Sequence, residues 1–386
     1  MKFRAERDSL VEVLTTAGRA VGGRGVSNAV LSGLLLHCEG NHLVVTGTDL
    51  DLTIRVEHEV IGIEDGSCVV PARLTADIAR SLEPGAVTVE GGDEEIEIAA
   101  ARSRFSLRAY PVVEYPSVTI AEGASLVLPG AMVAEGLRQV VRAASTDDNR
   151  PLLTGVLLTE HEGAIRLVAT DSYRLALRDL ATEGGLVGGH DILVPARALG
   201  ELQRLTSGGG VGAGAGQEAG TTGEDKGQSA MDVTVSAGDN EITFTRGRVK
   251  ISTRLLDGTY PDYRQLIPDH YPNRLHLGKE SFVSALRRVR LLVRDNTTPV
   301  RLSMRAGGVD LSVVSQEVGD ASETVDGDFT GEDLVIAFNP SYLIDGVEAV
   351  VGDEVVIETA EPAKPATVRA SEEDNFRYLL MPVRVS

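Results

Sequence analysis

Short stretches of this chain return at a nearly constant spacing, and that repetition limits the possible fold more than any other feature. Leu31-Ser32-Gly33-Leu34-Leu35-Leu36 is echoed by Leu153-Thr154-Gly155-Val156-Leu157-Leu158, and Thr48-Asp49 by Thr170-Asp171, each pair 122 positions apart. Val70-Pro71-Ala72-Arg73 returns unchanged as Val194-Pro195-Ala196-Arg197, 124 positions on. Tyr115-Pro116 returns as Tyr260-Pro261. A fainter third copy starts with a helical pattern at 279–293 and continues through alternating strands at 300–304 and 309–313. It closes with a helix beginning near Asn339-Pro340-Ser341 and a tail at Met381-Pro382. A period of about 120 residues is far longer than a solenoid repeat and reads as three similar domains of ordinary size. The boundaries fall at 1–122, 123–270 and 271–386.

Within the first copy, Leu10, Val13, Leu14 and Ala17 form one helical stripe across 8–20, with Asp8 placed as N-cap. Alternating strand patterns follow at 30–36, 43–45 and 50–56. Pro71 opens a second helix near its first turn, where the missing N–H matters least, and Leu74, Ile78 and Leu82 form its expected buried face. Strands at 87–89, 96–99 and 105–108 complete the unit. Helix, strands, helix, strands is an α+β order, two helices packed on antiparallel sheets in each domain. In the second copy Ile165, Leu167 and Ala169 alternate into a strand that ends at Thr170-Asp171. Those two residue types bend a chain because their short side chains bond to nearby backbone, so a turn holds Tyr173, Arg174 and Leu175 at its edge. The copies differ by an insertion at 206–230, glycine-rich and nearly without large apolar residues. Such a segment cannot offset its ordering entropy and reads as a disordered loop. It also lacks GxxxxGK[ST], which argues against a phosphate cradle.

Composition narrows the function. A hydrophobic fraction of 42% supports packed cores, and with no Trp and 4% aromatics those cores must be built of Val, Leu, Ile and Ala. A formal charge of -20 argues against a wholly basic, phosphate-coating surface. Cys38 and Cys68 alone make no disulfide framework and fit a reducing compartment. Neither a signal core nor a membrane-length apolar run is present, so a cytoplasmic protein is expected. His37, Cys38 and His42 lie close together, but His37 and Cys38 are neighbours on a strand and point to opposite faces, which is no metal site. No GxSxG, HExxH or partnered nucleophile occurs. We therefore expect no catalytic residues, no metal and no cofactor.

The arginines carry more information. Arg73 and Arg80, Arg138 and Arg142, and Arg197 and Arg204 are spaced to return to one helix face, while the acidic residues are read as lying in strands and loops. Repetition of that face in equivalent helices points to a shared surface for a polyanion.

At this point the chain resembles the bacterial DNA polymerase III beta subunit, the sliding clamp family. The resemblance is carried by Met1-Lys2-Phe3-Arg4, by Ala169-Thr170-Asp171-Ser172-Tyr173-Arg174-Leu175-Ala176, by Tyr260-Pro261-Asp262-Tyr263-Arg264-Gln265-Leu266-Ile267-Pro268, and by Leu379-Leu380-Met381-Pro382-Val383-Arg384. It runs over the whole chain apart from 206–230. It implies a head-to-tail dimeric ring with helices lining the hole, encircling double-stranded DNA without sequence preference and tethering the replicative polymerase. Clamp-loader and repair proteins would dock through short peptides. The groove implied for those peptides is lined by Leu153, Thr170, Ser172, Tyr173, Arg174, Leu175, Pro261, Gln265, Leu266, Asn339, Tyr342, Thr367, Leu379, Met381, Pro382, Val383 and Arg384. Arg174 and a few polar groups would fix the peptide backbone there. Ser172-Tyr173 stands where some members carry Gly-His, Gln265 where others carry Arg, and the tail reads Val383-Arg384-Val385-Ser386. The implied DNA-facing residues are Arg24, Arg73, Arg80, Arg138, Arg142, Arg150, Arg197 and Arg204. The implied dimer contact sets Phe105 and Leu107 against Leu291 and Leu292 of the partner, with Arg102 and Arg104 near Glu317 and Glu323. A clamp paralogue or peptide-binding scaffold that does not serve the main replicase would carry the same motifs.

Overall fold

The computed structural model describes all residues except 23–27, 93, 119, 121–122, 183, 187–188, 209–231, 269, 295–297, 316, 373–374 and 385–386. Among the described residues the helices are α1 (Arg7–Ala17), α2 (Ala72–Ser81), α3 (Gly130–Val140), α4 (Ala196–Ser207), α5 (Lys279–Val289) and α6 (Pro340–Ala349), set among antiparallel strands. This is the α+β order read from the sequence. Chain contacts divide the molecule into two compact units. The first comprises Met1–Ala134, Val187–Gly189 and Arg197–Leu255, and the second Glu135–Leu186, His190–Ala196 and Leu256–Ser386.

The first unit holds two sheets. A five-stranded sheet runs in the order Ile61–Glu64, Lys2–Glu6, Ala86–Gly91, Glu95–Ala100, Ser103–Arg108. An eight-stranded sheet begins with Ser125–Leu128, Val233–Ala237, Glu241–Arg246 and Val249–Arg254, then passes to Leu52–Glu59, His42–Thr48, Gly33–Glu39 and Gly66–Pro71. The join is the pairing of Ile251 with Ile54, so strands of the second sequence repeat continue the sheet of the first. Helix α1 packs on α2 and lays Leu10, Val13, Leu14 and Ala17 onto strands 42–48 and 52–59. Those four positions follow the 3.6-residue period, and each large apolar side chain removed from water contributes about 1.5–3 kcal/mol.

The second unit is organised on one twelve-stranded sheet. Its order is Ile192–Pro195, Gly155–His161, Ala164–Thr170, Arg174–Ala181, Phe376–Leu380, Ala366–Ala370, Glu354–Thr359, Asn273–Gly278, Gly319–Thr330, Gly308–Ser315, Val300–Arg305, Leu334–Phe338. The hairpin closed by Thr170 opposite Leu175 is extended directly by the C-terminal strand, Arg174 pairing with Leu380. One face of this junction carries the buried cluster Leu153, Leu157, Val168, Leu175, Leu177, Leu193, Tyr260, Tyr263 and Leu379.

Several local expectations need correction. Asp8 lies in the first turn of α1 and is not its N-cap; Glu6 holds that position without a side-chain bond. The predicted strand at 30–36 begins as a 3-10 turn, Ala29–Ser32, and only Gly33–Glu39 is strand. In α2 Ile78 and Leu82 are buried as expected, together with Ala72, Thr75, Ala76 and Ala79, but Leu74 is 50% exposed. Pro71 sits at the N-cap. Acidic residues also occupy helices, among them Asp77, Glu201, Asp345 and Glu348. The glycine-rich stretch overlaps α4 at Thr206 and Ser207; from 209 onward it lies outside the described residues. His37 is exposed with Nδ1 2.8 Å from Ser67 Oγ, while Cys38 is buried on the opposite face. Burial pushes the Cys68 thiol up to about 12. Among the described residues no cluster of His, Cys, Asp or Glu could hold a metal, and no helix is long and apolar enough to cross a membrane.

Candidate functional site

The Thr-Asp turn occurs twice, and the copies share the bonds that close it. Thr170 Oγ1 donates to the Arg174 carbonyl at 2.6 Å, as Thr48 Oγ1 does to the Leu52 carbonyl at 3.1 Å. The amides of Ser172 and Leu50 each donate to the preceding threonine Oγ1 at 3.1 Å. Asp171 Oδ1 accepts the Tyr173 and Arg174 amides at 2.9 and 3.0 Å; Asp49 Oδ1 accepts those of Asp51 and Leu52 at 3.2 and 2.9 Å. Both turns hold a non-glycine residue left-handed, Ser172 at φ 79° and Leu50 at φ 84°. Such a conformation costs on the order of 1 kcal/mol, and the side-chain bonds from threonine and aspartate offset it.

The two copies part at the next residue. Leu52 is apolar, whereas Arg174 carries a guanidinium that the fold encloses almost completely. Its Nε bonds Asp171 Oδ2 at 3.0 Å, its Nη1 bonds Asp345 Oδ2 at 2.6 Å and approaches Tyr378 Oη at 3.5 Å, and its plane lies 4.3 Å from the Tyr342 ring centroid. Burial alone would lower the Arg174 pKa, but the Tyr378 hydroxyl, Asp345 and Asp171 outweigh it and hold it above the usual arginine value. Burial raises the Tyr378 hydroxyl too. Tyr378 Oη donates to the Tyr342 carbonyl at 2.9 Å, and Asn339 caps α6 by accepting the Ser341 and Tyr342 amides at 2.9 and 3.3 Å. Arg174, expected to help fix a peptide backbone, is also an internal knot between turn, helix and sheet.

The remaining groove candidates divide by exposure. Thr170, Leu175, Thr367 and Leu379 are buried, and Leu153 joins them in the apolar cluster, so these form a floor. Thr367 is covered by Tyr271, whose hydroxyl bonds its Oγ1. Tyr173, Leu266 and Met381 stand 59%, 43% and 39% exposed, with Ser172, Pro261, Gln265 and Arg384 also exposed. The Met381 amide donates to the Tyr173 carbonyl at 2.9 Å and the Val383 amide to the Ala337 carbonyl at 2.7 Å, which seats Met381, Pro382 and Val383 along the turn and strand 334–338. Tyr260 Oη accepts the Thr170 amide at 3.0 Å and fixes the turn from below. An apolar floor with apolar knobs at its rim is the surface that receives short extended peptides.

The arginines separate into exposed and engaged groups. Arg73 and Arg80 flank Asp77 on α2, Arg197 pairs with Asp49, and Arg204 with Glu201; all four remain largely exposed. Arg138 donates to the Glu348 and Ala349 carbonyls at 3.1 Å each, Gln139 Nε2 to the Ala349 carbonyl at 3.0 Å, and Lys279 Nζ to the Val350 carbonyl. These side chains satisfy the carbonyls at the end of α6, which has no basic residue of its own. Arg142 lies between Asp345 and Glu348 at 3.4 and 3.7 Å. Arg150, placed among the DNA-facing residues by position, reaches the turn, donating to Ser172 Oγ at 3.1 Å and to the Asp171 carbonyl at 3.5 Å. Arg24 lies outside the described residues.

Phe105 and Leu107 sit on strand 103–108, the last of its sheet, with Arg102 and Arg104 exposed beside them and Arg104 held by Glu97 at 2.6 Å. Leu291 is 84% exposed, next to half-buried Leu292. Glu323 pairs with Arg288 at 2.7 Å on strand 319–330, whose first half is hydrogen-bonded only to strand 308–315.

Sequence reasoning missed Asp171, Asp345, Tyr260, Tyr271 and Tyr378 as site residues. Asp171 left a signal in its recurrence as Asp49, and Tyr260 in its recurrence as Tyr115. Asp345, Tyr271 and Tyr378 act from α6, from the loop before strand 273–278 and from the C-terminal strand, whose proximity is created by folding.

Comparison with known proteins gives one consistent result. Models of the DNA polymerase III beta subunit match in order: the N-terminal domain at residues 1–119, the central domain at 127–213 and the C-terminal domain at 264–384. The beta sliding clamp of Streptomyces coelicolor is 34% identical over 398 residues, and that of Caulobacter vibrioides 31% over 399, each alignment covering all of both chains. Among solved structures, the DnaN sliding clamp of Bartonella birtlesii bound to griselimycin superposes with a TM-score of 0.89 at 29% identity. The DNA polymerase sliding clamp of Bacillus subtilis does so at 0.87 and 27%, again over the full length of both chains. The chain therefore belongs to the DNA polymerase III beta subunit family, the beta sliding clamps.

Proposed function

We propose that this chain is the working unit of a cytoplasmic sliding clamp, a non-catalytic processivity factor that encircles duplex DNA and tethers the replicative polymerase. The observation that carries the reading is the match of all three clamp-domain models in order along one chain. Domains of 1–122, 123–270 and 271–386 are the division we assign, the middle one lending strands to the sheets of both neighbours.

The groove residues fit partner docking through their chemistry. Tyr173, Leu266 and Met381 supply apolar contact, the buried leucines supply a floor, and the main chain of the tail supplies edge hydrogen bonds. Griselimycin, the ligand of the Bartonella clamp, and partner peptides of polymerase, clamp loader and repair proteins would compete for it. For DNA we assign Arg73, Arg80, Arg197 and Arg204, with Arg24. Each of the four described ones lies beside a carboxylate, so each offers a phosphate only a partly neutralised charge. Exposed pairs of this kind are worth about 0–1 kcal/mol and exchange readily. Weak contacts without sequence preference suit a ring that must slide. Two copies would close head to tail through strand 103–108 of one and strand 319–330 of the other, with Phe105 and Leu107 on Leu291 and Leu292.

The test is topological. Clamps loaded on nicked circular DNA should be retained at salt concentrations that abolish ordinary binding, and should be lost when the circle is cut. A salt-sensitive complex indifferent to linearisation would refute the assignment.

A further inference from the structure

Asp345 has the position and the contacts of a residue that shapes the groove without touching its ligand. It lies on α6 one turn after Tyr342, so both face the same way. One carboxylate oxygen holds Arg174 at 2.6 Å, and the other faces Arg142 at 3.4 Å. Arg174 belongs to the turn that displays Tyr173. Its amide is bound by Asp171 and its carbonyl by Thr170, and it stands opposite Leu380 of the C-terminal strand.

We propose that Asp345 is the positioning residue of the peptide groove. By gripping Arg174 from α6 it holds the guanidinium over the Tyr342 ring, ties the locally bonded turn at 170–174 to the helix and so sets Tyr173 at the rim. The inference rests on the groove assignment above. Arg174 is then a strut whose Nε and Nη1 are already occupied, and discrimination among partners falls to Tyr173, Leu266 and Met381. Removing the Asp345 charge leaves Arg174 ion-paired only to Asp171 on its own turn, with the tie to α6 reduced to the contact with the Tyr342 ring.

The experiment measures binding kinetics of a fluorescein-labelled short synthetic peptide with leucine and phenylalanine anchors, and of griselimycin, on the full-length dimer. The variants are D345N, R174A and their double. D345N should weaken the peptide about tenfold, mainly through faster dissociation, as loss of one partner of a desolvated charge pair does. R174A should do the same, and the double variant should be no worse than the weaker single, because both changes break one link. E348Q, which touches Arg142 and Arg287 but not Arg174, should bind like wild type. If calorimetry shows D345N to be unfolded, the charge-keeping D345E, with its carboxylate displaced by one methylene, carries the same comparison. Peptide binding by a folded D345N within about twofold of wild type, or losses that add in the double variant, would overturn the proposal. Absence of peptide and griselimycin binding by wild type would overturn the groove assignment itself.

Discussion

The duplicated turn allows a controlled perturbation, Asp171→Ala against Asp49→Ala in the same chain. Asp171 Oδ1 accepts two backbone amides, at 2.9 and 3.0 Å, and its Oδ2 takes Arg174 Nε at 3.0 Å. Asp49 accepts two amides, at 3.2 and 2.9 Å, and takes Arg197. Both turns are near the surface, so water replaces part of what is lost, and each amide bond to the carboxylate is worth about 1 kcal/mol net. With about 1 kcal/mol more for the arginine pair, enclosed at Asp171 and more open at Asp49, each substitution should destabilise its turn by about 3 kcal/mol. Local loss of that size is about a hundredfold in an equilibrium constant and is read by amide exchange at the two residues after the aspartate. The consequences should then diverge. D171A should weaken binding of a partner peptide severely, since Tyr173 and the Arg174 knot lose their anchor. D49A should leave peptide binding at the wild-type level, although its own turn opens to the same extent. Equal losses of peptide affinity from both, or none from D171A despite open exchange, would show that the turn does not display the docking residues.

Other expectations follow from single contacts. Arg138→Ala should cost about 1–2 kcal/mol by uncapping the end of α6, seen as a lower denaturant midpoint, and should leave retention on circular DNA closer to wild type than Arg73→Ala does; the reverse ranking would return Arg138 to the DNA surface. Phe105→Arg should shift the mass by light scattering from dimer to monomer while peptide binding persists, and a dimer of wild-type affinity would refute the assigned contact. Deleting 381–386 should abolish peptide binding and leave the dimer intact, so parallel loss of both in sedimentation would count against the tail as a groove wall. Burial and then Arg248 lower the His58 pKa from its ordinary 6.5, so below that pH the unfolded chain binds more protons than the folded one. Stability from this group is complete above pH 6.5 and declines as pH falls through the folded pKa; His58→Gln should flatten the fall in melting temperature over that range.

Much of the architecture is legible in the linear chain because it is written in local, periodic signals. The 122-residue repeat, the helix-strand order and the stripe of Leu10, Val13, Leu14 and Ala17 depend on residues close in sequence. The Thr-Asp turn is the clearest case: its bonds span two to four residues, so the pairs at 48–49 and 170–171 close it from local residues alone. Leu74 marks the limit of such reasoning. Helical periodicity identifies a face, but only the packing partner decides whether a leucine fits there.

Tertiary structure alone decided which charges are free. Arg138 and Arg142 have the same spacing logic as Arg73 and Arg80, yet they meet α6 some 200 residues away in sequence (separations of 203 to 211) and are consumed by it. Asp345 and Tyr378, distant from Thr170–Leu175 in the chain, supply partners to Arg174 that its own neighbourhood does not announce. An ion pair or a cap depends on distances of a few ångströms between side chains. Sequence spacing reports those distances within a helix or turn, and only the pairing of remote strands sets them between elements.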